Sequence, residues 1–314
     1  MIILKYRLTH LIVLLFTVLV ITGCASNPDK DRLPNSLSEA DLYQLSNKYL
    51  DNSNYSEALK YLKALETRYP FGAFAEQAQL NIIYAYYMHS EPEAARAAAD
   101  RYIRLHPQSS STDYAYYMKG LASNTASVGL VERYLPLDIT RRDPGQAMQS
   151  FNEFSELLKL YPDSKYAPDA RQRMIALRDR LAEYQIHVAT YYMKRKAYVA
   201  AIKRGQYVVE NMQQTPAVPQ ALAIMIEGYQ HLGLVKPANE TLETLRLNYP
   251  NDPALDKKGN FIGNKVFSDV DPSVLNILTF GLLGDSGKGN SGKKGNTAKT
   301  AEPIQAPLPP KALK

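Results

Sequence analysis

The chain has no tryptophan and only one cysteine, Cys24, among its 314 residues. A single cysteine cannot form an internal disulfide, and it cannot build a thiolate zinc site alone. The five histidines are isolated, and no two of them have the spacing of a metal-binding pair. No serine stands in a nucleophile-elbow motif. These shortages argue against an enzyme, and we expect neither a metal nor a cofactor.

The net charge is also low for a chain of this length, +6 at neutral pH, and it is unevenly distributed. Six lysines but only one acid, Glu302, lie between Lys288 and Lys314. A nucleic-acid-binding protein more often carries its basic residues on a folded face, so we expect no nucleic-acid partner. The mean hydropathy of −0.33 excludes a polytopic membrane protein, while a hydrophobic content of 45% allows a substantial core.

Residues 1–23 have the three parts of an export signal: a basic start, the apolar run Leu11–Ile21 and a few small residues. The run spans about 16 Å as a helix, roughly half of a bilayer core, so it is a poor permanent anchor. It ends in Ile21-Thr22-Gly23-Cys24, which resembles the bacterial lipobox.

The resemblance to a lipobox implies that Cys24 becomes the N-terminus after cleavage, with an N-acyl group and an S-diacylglycerol thioether. Three acyl chains exceed the two signals that stable membrane anchoring requires. Ala25 follows the cysteine, which by resemblance to the sorting rule of enteric bacteria favours the outer membrane. Residues 24–35 are polar and predict a tether between the lipid and the fold. The alternative is an uncleaved signal anchor with an incidental cysteine.

The region from Ser36 to Pro250 has almost no strand pattern, and its apolar residues recur three and four positions apart, which predicts an all-α fold. Four tyrosines each precede an alanine by nine residues: Tyr49 and Ala58, Tyr86 and Ala95, Tyr192 and Ala201, and Tyr229 and Ala238. The segments then close on Pro70, Pro107, Pro162, Pro216 and Pro250. The shortest interval between these prolines is 34 residues, which is the tetratricopeptide period.

We therefore predict an α-solenoid of five helix pairs that resembles tetratricopeptide repeats, with neighbouring pairs stacked to bury their apolar faces. The repeats cover about 36–73, 74–110, 111–165, 166–218 and 219–250. The third carries an insertion at 121–142, and the fourth has no helix breaker after Pro168, so its first helix should be long. Ser36 and Glu39 have capping-box spacing and predict the start of the first helix.

The resemblance to tetratricopeptide repeats implies a concave groove lined by fixed positions of each first helix. These positions lie six and two residues before the tyrosine of each pair, and one and two residues after it. They select Tyr43, Asn47, Leu50, Tyr84, Tyr87, Met88, Tyr114 and Tyr117. The result is an aromatic, mildly polar groove suited to an extended or helical peptide. Packing inside the solenoid is the alternative role for each tyrosine.

Residues 251–314 form a C-terminal extension in which the helical pattern stops. The short apolar segment 274–283 could dock on the solenoid, bind a partner or touch the bilayer. The part from 284 to 314 is rich in glycine, lysine and proline, which predicts disorder. Residues 287–292 match the dinucleotide fingerprint, but no strand precedes them and no helix follows, so we expect no nucleotide.

Several motifs between Cys24 and Pro250 resemble the BamD (ComL) family in order and spacing. They are Arg68-Tyr69-Pro70-Phe71-Gly72, Ile83-Tyr84-Ala85-Tyr86-Tyr87, Arg104-Leu105-His106-Pro107, Arg142-Asp143-Pro144, Tyr161-Pro162-Asp163-Ser164 and Leu177-Arg178-Asp179-Arg180-Leu181-Ala182. The extension after Pro250 is longer than the resemblance covers, and nothing is carried onto it.

This resemblance implies the lipoprotein subunit of the outer-membrane β-barrel assembly machine, anchored in the cell outer membrane on its periplasmic side. It implies that the N-terminal repeats receive unfolded outer-membrane β-barrel proteins, and that the C-terminal repeats hold the periplasmic domains of an Omp85-type barrel subunit. Accessory assembly lipoproteins are further implied partners. The docking arginine of the family falls on Arg204, whose guanidinium could engage a carboxylate with two hydrogen bonds. An exposed, solvated arginine is the alternative.

Two other classes of protein remain open. A pilotin-like repeat lipoprotein for secretin or pilus assembly would share the leader and the repeats, but not the motif at Arg68–Gly72. A cell-wall enzyme or its adaptor would need a catalytic constellation, and the sequence offers none that we can identify.

Overall fold

The computed structural model describes residues 33–127, 138–141, 143–263 and 306–310. The leader, Cys24, most of the predicted insertion and the apolar segment at 274–283 lie outside these residues. The described part contains ten α-helices: α1 Glu39–Asp51, α2 Tyr55–Arg68, α3 Ala75–Met88, α4 Pro92–Leu105, α5 Thr112–Ala126, α6 Gly145–Leu160, α7 Ala167–Lys194, α8 Tyr198–Asn211, α9 Val218–His231 and α10 Val235–Asn248.

These helices form five consecutive antiparallel pairs, and each helix packs on the next along the chain. The extended pairing within the described residues is limited to one isolated bridge between Leu255 and Phe261. The predicted all-α solenoid of five helix pairs is therefore confirmed.

The spacing of nine residues between tyrosine and alanine reflects the turn that joins the two helices of a pair. The carbonyl oxygens of the four tyrosines accept hydrogen bonds of 2.8–2.9 Å from the backbone five residues later, which closes the end of each first helix. This closure needs one residue with positive φ between the helices, and Ser53, Ser90, Lys196 and Gly233 occupy that position with φ of 56–69°.

The alanine that follows each turn lies where the second helix crosses the first. All four alanines are at most 4% exposed. Because a methyl group lets the two backbones approach closely, a tight turn and a small residue recur together in these four pairs. Most second helices then end just before a proline, as α2 does at Arg68 before Pro70.

The first helix begins at a different cap from the one that the sequence predicted. Ser38, not Ser36, is the N-cap: its hydroxyl accepts from the backbone of Asp41 at 3.2 Å, and Asp41 accepts from the backbone of Ser38 at 3.0 Å. Glu39 instead accepts a 2.7 Å hydrogen bond from the backbone N–H of Phe74 in the next repeat. The capping box is therefore shifted by two residues, because Glu39 is used to join repeats.

The third and fourth repeats are longer than the others. Helix α5 runs to Ala126, six residues into the predicted insertion at 121–142, because Leu121 and Ala122 continue its fully buried face. The described end of the insertion contacts α7, where Thr140 Oγ1 lies 2.7 Å from His187 Nε2. Helix α7 has 28 residues, as the lack of a breaker after Pro168 predicts.

The core follows the stack of helices and has two parts. A small cluster joins α1, α2 and α3 through residues such as Leu42, Leu62 and Ile82. A larger cluster begins at Leu80 and continues through the remaining repeats. It also contains Ala306, which belongs to the C-terminal extension and is 5% exposed. The extension therefore contributes one residue to the core of the solenoid.

Candidate peptide groove and docking surface

The first helices of the second and third repeats, α3 and α5, lie side by side, and so do those of the fourth and fifth, α7 and α9. The eight residues predicted to line a groove lie on α1, α3 and α5. The structure places most of them in two neighbouring groups along these helices.

The first group lies at the N-terminal end of the solenoid. The rings of Tyr43 and Phe74 stack, with centroids 4.4 Å apart and planes 14° from parallel. One turn along α1, Asn47 accepts a 3.1 Å hydrogen bond from Asn81, which accepts a 3.1 Å bond from Gln77. Asn81 and Gln77 are buried, so this end combines an aromatic surface with an ordered row of amides.

The second group is a buried set of tyrosines in the middle of the first helices. Tyr84 packs edge-on against Tyr55, with centroids 6.1 Å apart, and burial together with that neighbour raises the pKa of Tyr84 to about 12. Tyr114 is fully buried, and burial beside Tyr166 and Tyr84 raises the pKa of its phenol well above the ordinary value. These phenols remain protonated and act as hydrogen-bond donors at physiological pH.

Tyr117 extends this group towards α7. Its ring stacks on Tyr166 at 4.8 Å, and its hydroxyl donates a 2.6 Å hydrogen bond to Asp169 Oδ2. Arg173, which is 8% exposed, forms an ion pair with the same carboxylate.

Four residues of this group were not identified from the sequence: Tyr55, Tyr166, Asp169 and Arg173. They lie outside the positions that the repeat pattern selects. Pro168, a helix-starting signal beside Asp169, marks the start of α7 but not its contact with α5.

The remaining predicted residues join these groups. Leu50 packs against both core clusters, and Met88 packs against the larger one. The hydroxyl of Tyr87 accepts a 3.1 Å hydrogen bond from Thr125 of α5. The structure thus places the eight residues on three helices of the first three repeats, and Tyr84, Tyr114 and Tyr117, which are at most 7% exposed, are core residues.

A short piece of the extension, residues 306–310, lies against the second group. The hydroxyl of Tyr114 donates a 3.0 Å hydrogen bond to the carbonyl oxygen of Pro307, 193 residues away in sequence. This segment has neither helix nor strand structure. Tyr114 is thus in contact with a stretch of non-helical polypeptide.

Arg204 lies in a second surface, formed by α7, α8 and the turn after α9. Its guanidinium is partly buried and donates a 3.0 Å hydrogen bond to the side-chain oxygen of Gln185 on α7. It borders an open hollow with a volume of about 790 Å³, in which Lys196 and Lys203 are the other charged residues. We call this surface the α8 hollow. Its lining residues are Tyr192, Lys196, Ala197, Tyr198, Val199, Ala200, Lys203, Arg204, Tyr207 and Leu232.

The rim of the α8 hollow exposes large apolar side chains. Val199 is 58% exposed, Tyr207 41% and Leu232 39%. Beside them, the ring of Tyr198 stacks on His231 with centroids 4.4 Å apart. Exposed apolar residues bordered by charges of one sign are typical of protein-binding surfaces.

Two further features bear on the kind of site. Among the residues that the structure describes, no group of histidines, cysteines and acids is arranged to hold a metal ion. In the same part of the chain, no helix is both long enough and apolar enough to cross a membrane.

Comparisons with known proteins identify the family. A family model described as an outer membrane lipoprotein, YfiO, matches residues 35–245. A Neisseria meningitidis protein named outer membrane protein assembly factor BamD is 38% identical over 240 residues, which cover 76% of this chain and 90% of that protein. A BamD from Vibrio cholerae is 36% identical, covering 74% of this chain and 96% of that protein.

A third relative, BamD from Xylella fastidiosa, is 34% identical over 79% of this chain and 85% of its own length. Among solved structures, TPR-like repeats of a kinesin light chain from Podosopora anserina align with 66% of this chain and 92% of their own. The TM-score of 0.30 and the identity of 13% are too low to carry an argument. From the family model and the sequence relatives, the chain belongs to the BamD (YfiO) family of outer membrane lipoproteins.

Proposed function

We propose that this protein is a lipid-anchored periplasmic scaffold that takes part in the assembly and insertion of β-barrel proteins into the outer membrane. In this role it binds unfolded barrel proteins through the groove on α1, α3 and α5. It binds an Omp85-type barrel subunit through the α8 hollow, and accessory lipoproteins join the complex. The relatives named as outer membrane protein assembly factors support the general role.

One observation carries the proposed binding of unfolded chains: a non-helical segment lies against Tyr114 in the groove. Unfolded barrel strands alternate apolar and polar residues, and their unpaired edges aggregate. Once the segment at Tyr114 is displaced, aromatic rings there can contact apolar side chains while the phenolic hydroxyl of Tyr114 donates to a backbone carbonyl. Such a surface holds one strand without any chemical step.

The proposed docking of the barrel subunit is supported by the charge of the α8 hollow. Arg204, Lys196 and Lys203 are its only charged lining residues, so it favours an acidic partner. Gln185 fixes the guanidinium of Arg204 from one side, which leaves other donor nitrogens for a carboxylate. Apolar residues on the rim would exclude water from such an ion pair.

The proposed anchor is the acylated Cys24, which lies outside the described residues. An anchor of this kind confines both binding surfaces to the inner face of the outer membrane. Confinement raises the local concentration of the scaffold where barrel proteins arrive, and this helps association without a catalytic residue.

Affinity purification from solubilised outer membranes tests the proposal. We expect an Omp85-type barrel protein to co-purify with the wild-type chain, and we expect Arg204→Glu to reduce its recovery at least tenfold. Arg104→Glu provides a matched control, because it makes the same change of charge at an exposed position of α4, far from the hollow. Recovery of a secretin instead of an Omp85-type barrel would favour the pilotin-like alternative. Equal losses with both variants would contradict docking through Arg204.

A further inference from the structure

The contact between Tyr114 and residues 306–310 joins the middle of the solenoid to the end of the chain. Ala306 is 5% exposed and belongs to the larger core cluster, whereas Leu308 is 70% exposed. The segment therefore has one side chain that faces the solenoid and another, two residues later, that faces solvent. The segment thus contacts the solenoid through one defined side.

The sequence of this segment, Ala-Pro-Leu-Pro-Pro, explains why it suits an aromatic site. Proline restricts φ and carries no N–H, so three prolines in five residues favour a polyproline-type conformation with few backbone donors. The carbonyl oxygens stay available as acceptors. Grooves that recognise such segments combine aromatic rings with a hydrogen-bond donor, and Tyr114 provides both.

Next to Tyr114, a second phenol is left without a hydrogen-bond partner by the segment. The hydroxyl of Tyr166 is buried and has no hydrogen-bond partner among the described residues. Its ring lies 5.6 Å from that of Tyr114. A buried phenol without a partner is energetically costly, so a peptide that replaced the segment and brought a carbonyl to this hydroxyl would gain stability.

We infer that the groove around Tyr114 and Tyr166 is a binding site for a proline-containing extended segment, and that residues 306–310 of the same chain are its resident occupant. Another polypeptide can then use this part of the groove only after the segment leaves. That residues 306–310 occupy this site does not depend on the proposed function. That they compete with unfolded barrel proteins for the site rests on the proposed function. The extension thus competes with other polypeptides for the site around Tyr114.

The occupant belongs to the same molecule, which gives it an advantage over a free peptide. Attachment raises its effective concentration, so a free copy of the segment competes poorly with it. A change that displaces the attached segment should therefore reveal the site to a free peptide. Ala306 and Leu308 provide a matched pair for this test, because only the first is buried.

The experiment titrates a fluorescently labelled peptide with the sequence of residues 304–314 into three full-length mature proteins: wild type, Ala306→Glu and Leu308→Glu. We expect the peptide to bind Ala306→Glu at least tenfold more tightly than the other two, measured by fluorescence anisotropy. Equal affinity for all three proteins, or no binding to Ala306→Glu, would overturn the inference. Unchanged circular dichroism of the variants shows that the solenoid is intact.

Two further measurements sharpen the test. Adding Tyr114→Phe to Ala306→Glu retains the ring but removes the hydroxyl, and we expect peptide affinity to fall about threefold to tenfold. Light scattering of the wild-type protein should give a monomer; a dimer that Ala306→Glu converts to monomer would mean that the segment binds a second copy, contrary to the inference.

A labelled peptide of alternating apolar and polar residues, representing a barrel strand, separates this inference from the proposed function. We expect it to bind Ala306→Glu more tightly than wild type and to be displaced by the 304–314 peptide. If the 304–314 peptide behaves as expected but the strand peptide binds none of the proteins, the resident segment stands and the proposed cargo role fails. If only the strand peptide binds, the inference fails and the cargo role stands.

Discussion

The ring of Tyr117 on α5 lies flat on that of Tyr166 at the start of α7, with centroids 4.8 Å apart and planes 15° from parallel. The hydroxyl of Tyr117 also donates to Asp169 at 2.6 Å, so one side chain joins the third and fourth repeats by a stack and a charged hydrogen bond. Because Asp169 keeps its ion pair with Arg173, Tyr117→Phe should cost about 1–2 kcal/mol of unfolding free energy.

Chemical denaturation of the purified protein measures this loss. Tyr191→Phe on the same helix as Asp169 is the control, since Tyr191 is 53% exposed and should tolerate the change. A loss for Tyr117→Phe no larger than for the control would show that the hydrogen bond adds nothing to the stack.

The two phenylalanines Phe154 and Phe71 should respond in opposite ways to truncation. Phe154 is fully buried between α5 and α6, and Phe154→Ala should cost about 3–5 kcal/mol because it leaves a cavity. Phe71 is 100% exposed, and Phe71→Ala should change the unfolding free energy by no more than about 0.5 kcal/mol. Urea denaturation of both variants tests the pair, and a large loss at Phe71 would mean that this side chain packs in solution.

Glu76 should make stability depend on pH. It accepts hydrogen bonds from Ser109 at 2.6 Å and Tyr102 at 2.8 Å, and the bond from Ser109 lowers the pKa of the carboxyl despite partial burial. Because the folded-state pKa lies below the unfolded one, the charged form stabilises the fold above about pH 5. That contribution is lost as the pH falls through the folded-state pKa.

Thermal unfolding across a pH series checks this expectation. Glu76→Gln should lower Tm at about pH 7 and match wild type below about pH 3, because the carboxyl is then protonated in both states. Glu210→Gln on the exposed side of α8 is the control. A difference in Tm between wild type and Glu76→Gln that stays constant with pH would exclude a role for the charge.

Gly205 on α8 should not tolerate a methyl group. A Cβ there would lie 2.8 Å from Met225 Cγ and 3.0 Å from the backbone oxygen of Ala221 on α9. The helix cannot move away without losing its contact, so overpacking of about 1–3 kcal/mol should exceed the helix-propensity gain of about 1 kcal/mol. Gly145→Ala is the control, since its Cβ would meet only the side chain of Asp143, at 3.3 Å. Equal stability of both variants by urea denaturation would contradict the close approach.

The predicted lipid anchor can be tested at Cys24. Cys24→Ala removes the thiol that would carry diacylglycerol, so we expect an uncleaved precursor that no longer incorporates labelled palmitate or fractionates with the outer membrane. Ser26→Ala, two residues later, should be processed normally. Normal cleavage and fractionation of Cys24→Ala would exclude the lipoprotein interpretation.

The local parts of this fold could be predicted from sequence because local physics determines them. A tyrosine marks the end of the first helix, and an alanine nine residues later marks the point where the second helix crosses it closely. The structure has both features in four repeats. Pro92 and Pro168 stand in the first turns of α4 and α7, where a missing N–H costs nothing. Each of these signals acts within a few residues.

The parts that could not be predicted depend on distant partners. Glu39 fits a capping box by spacing, but its hydrogen bond to Phe74 joins two repeats. The pairing of Tyr117 with Asp169 requires the relative position of α5 and α7, which no periodicity encodes. The contact of Tyr114 with Pro307 depends on five residues without a repeating pattern, 193 positions away. Composition alone could only predict that the extension is poor in regular structure.

Helix α7 connects the two candidate binding surfaces as a single continuous rod. Asp169 near its start contacts the groove through Tyr117, and Gln185, sixteen residues later, contacts Arg204 in the α8 hollow. At 1.5 Å per residue these positions are about 24 Å apart along the axis. An uninterrupted helix keeps that separation fixed, so the proposed cargo and the proposed partner, bound at the two surfaces, would be held at a set distance from each other.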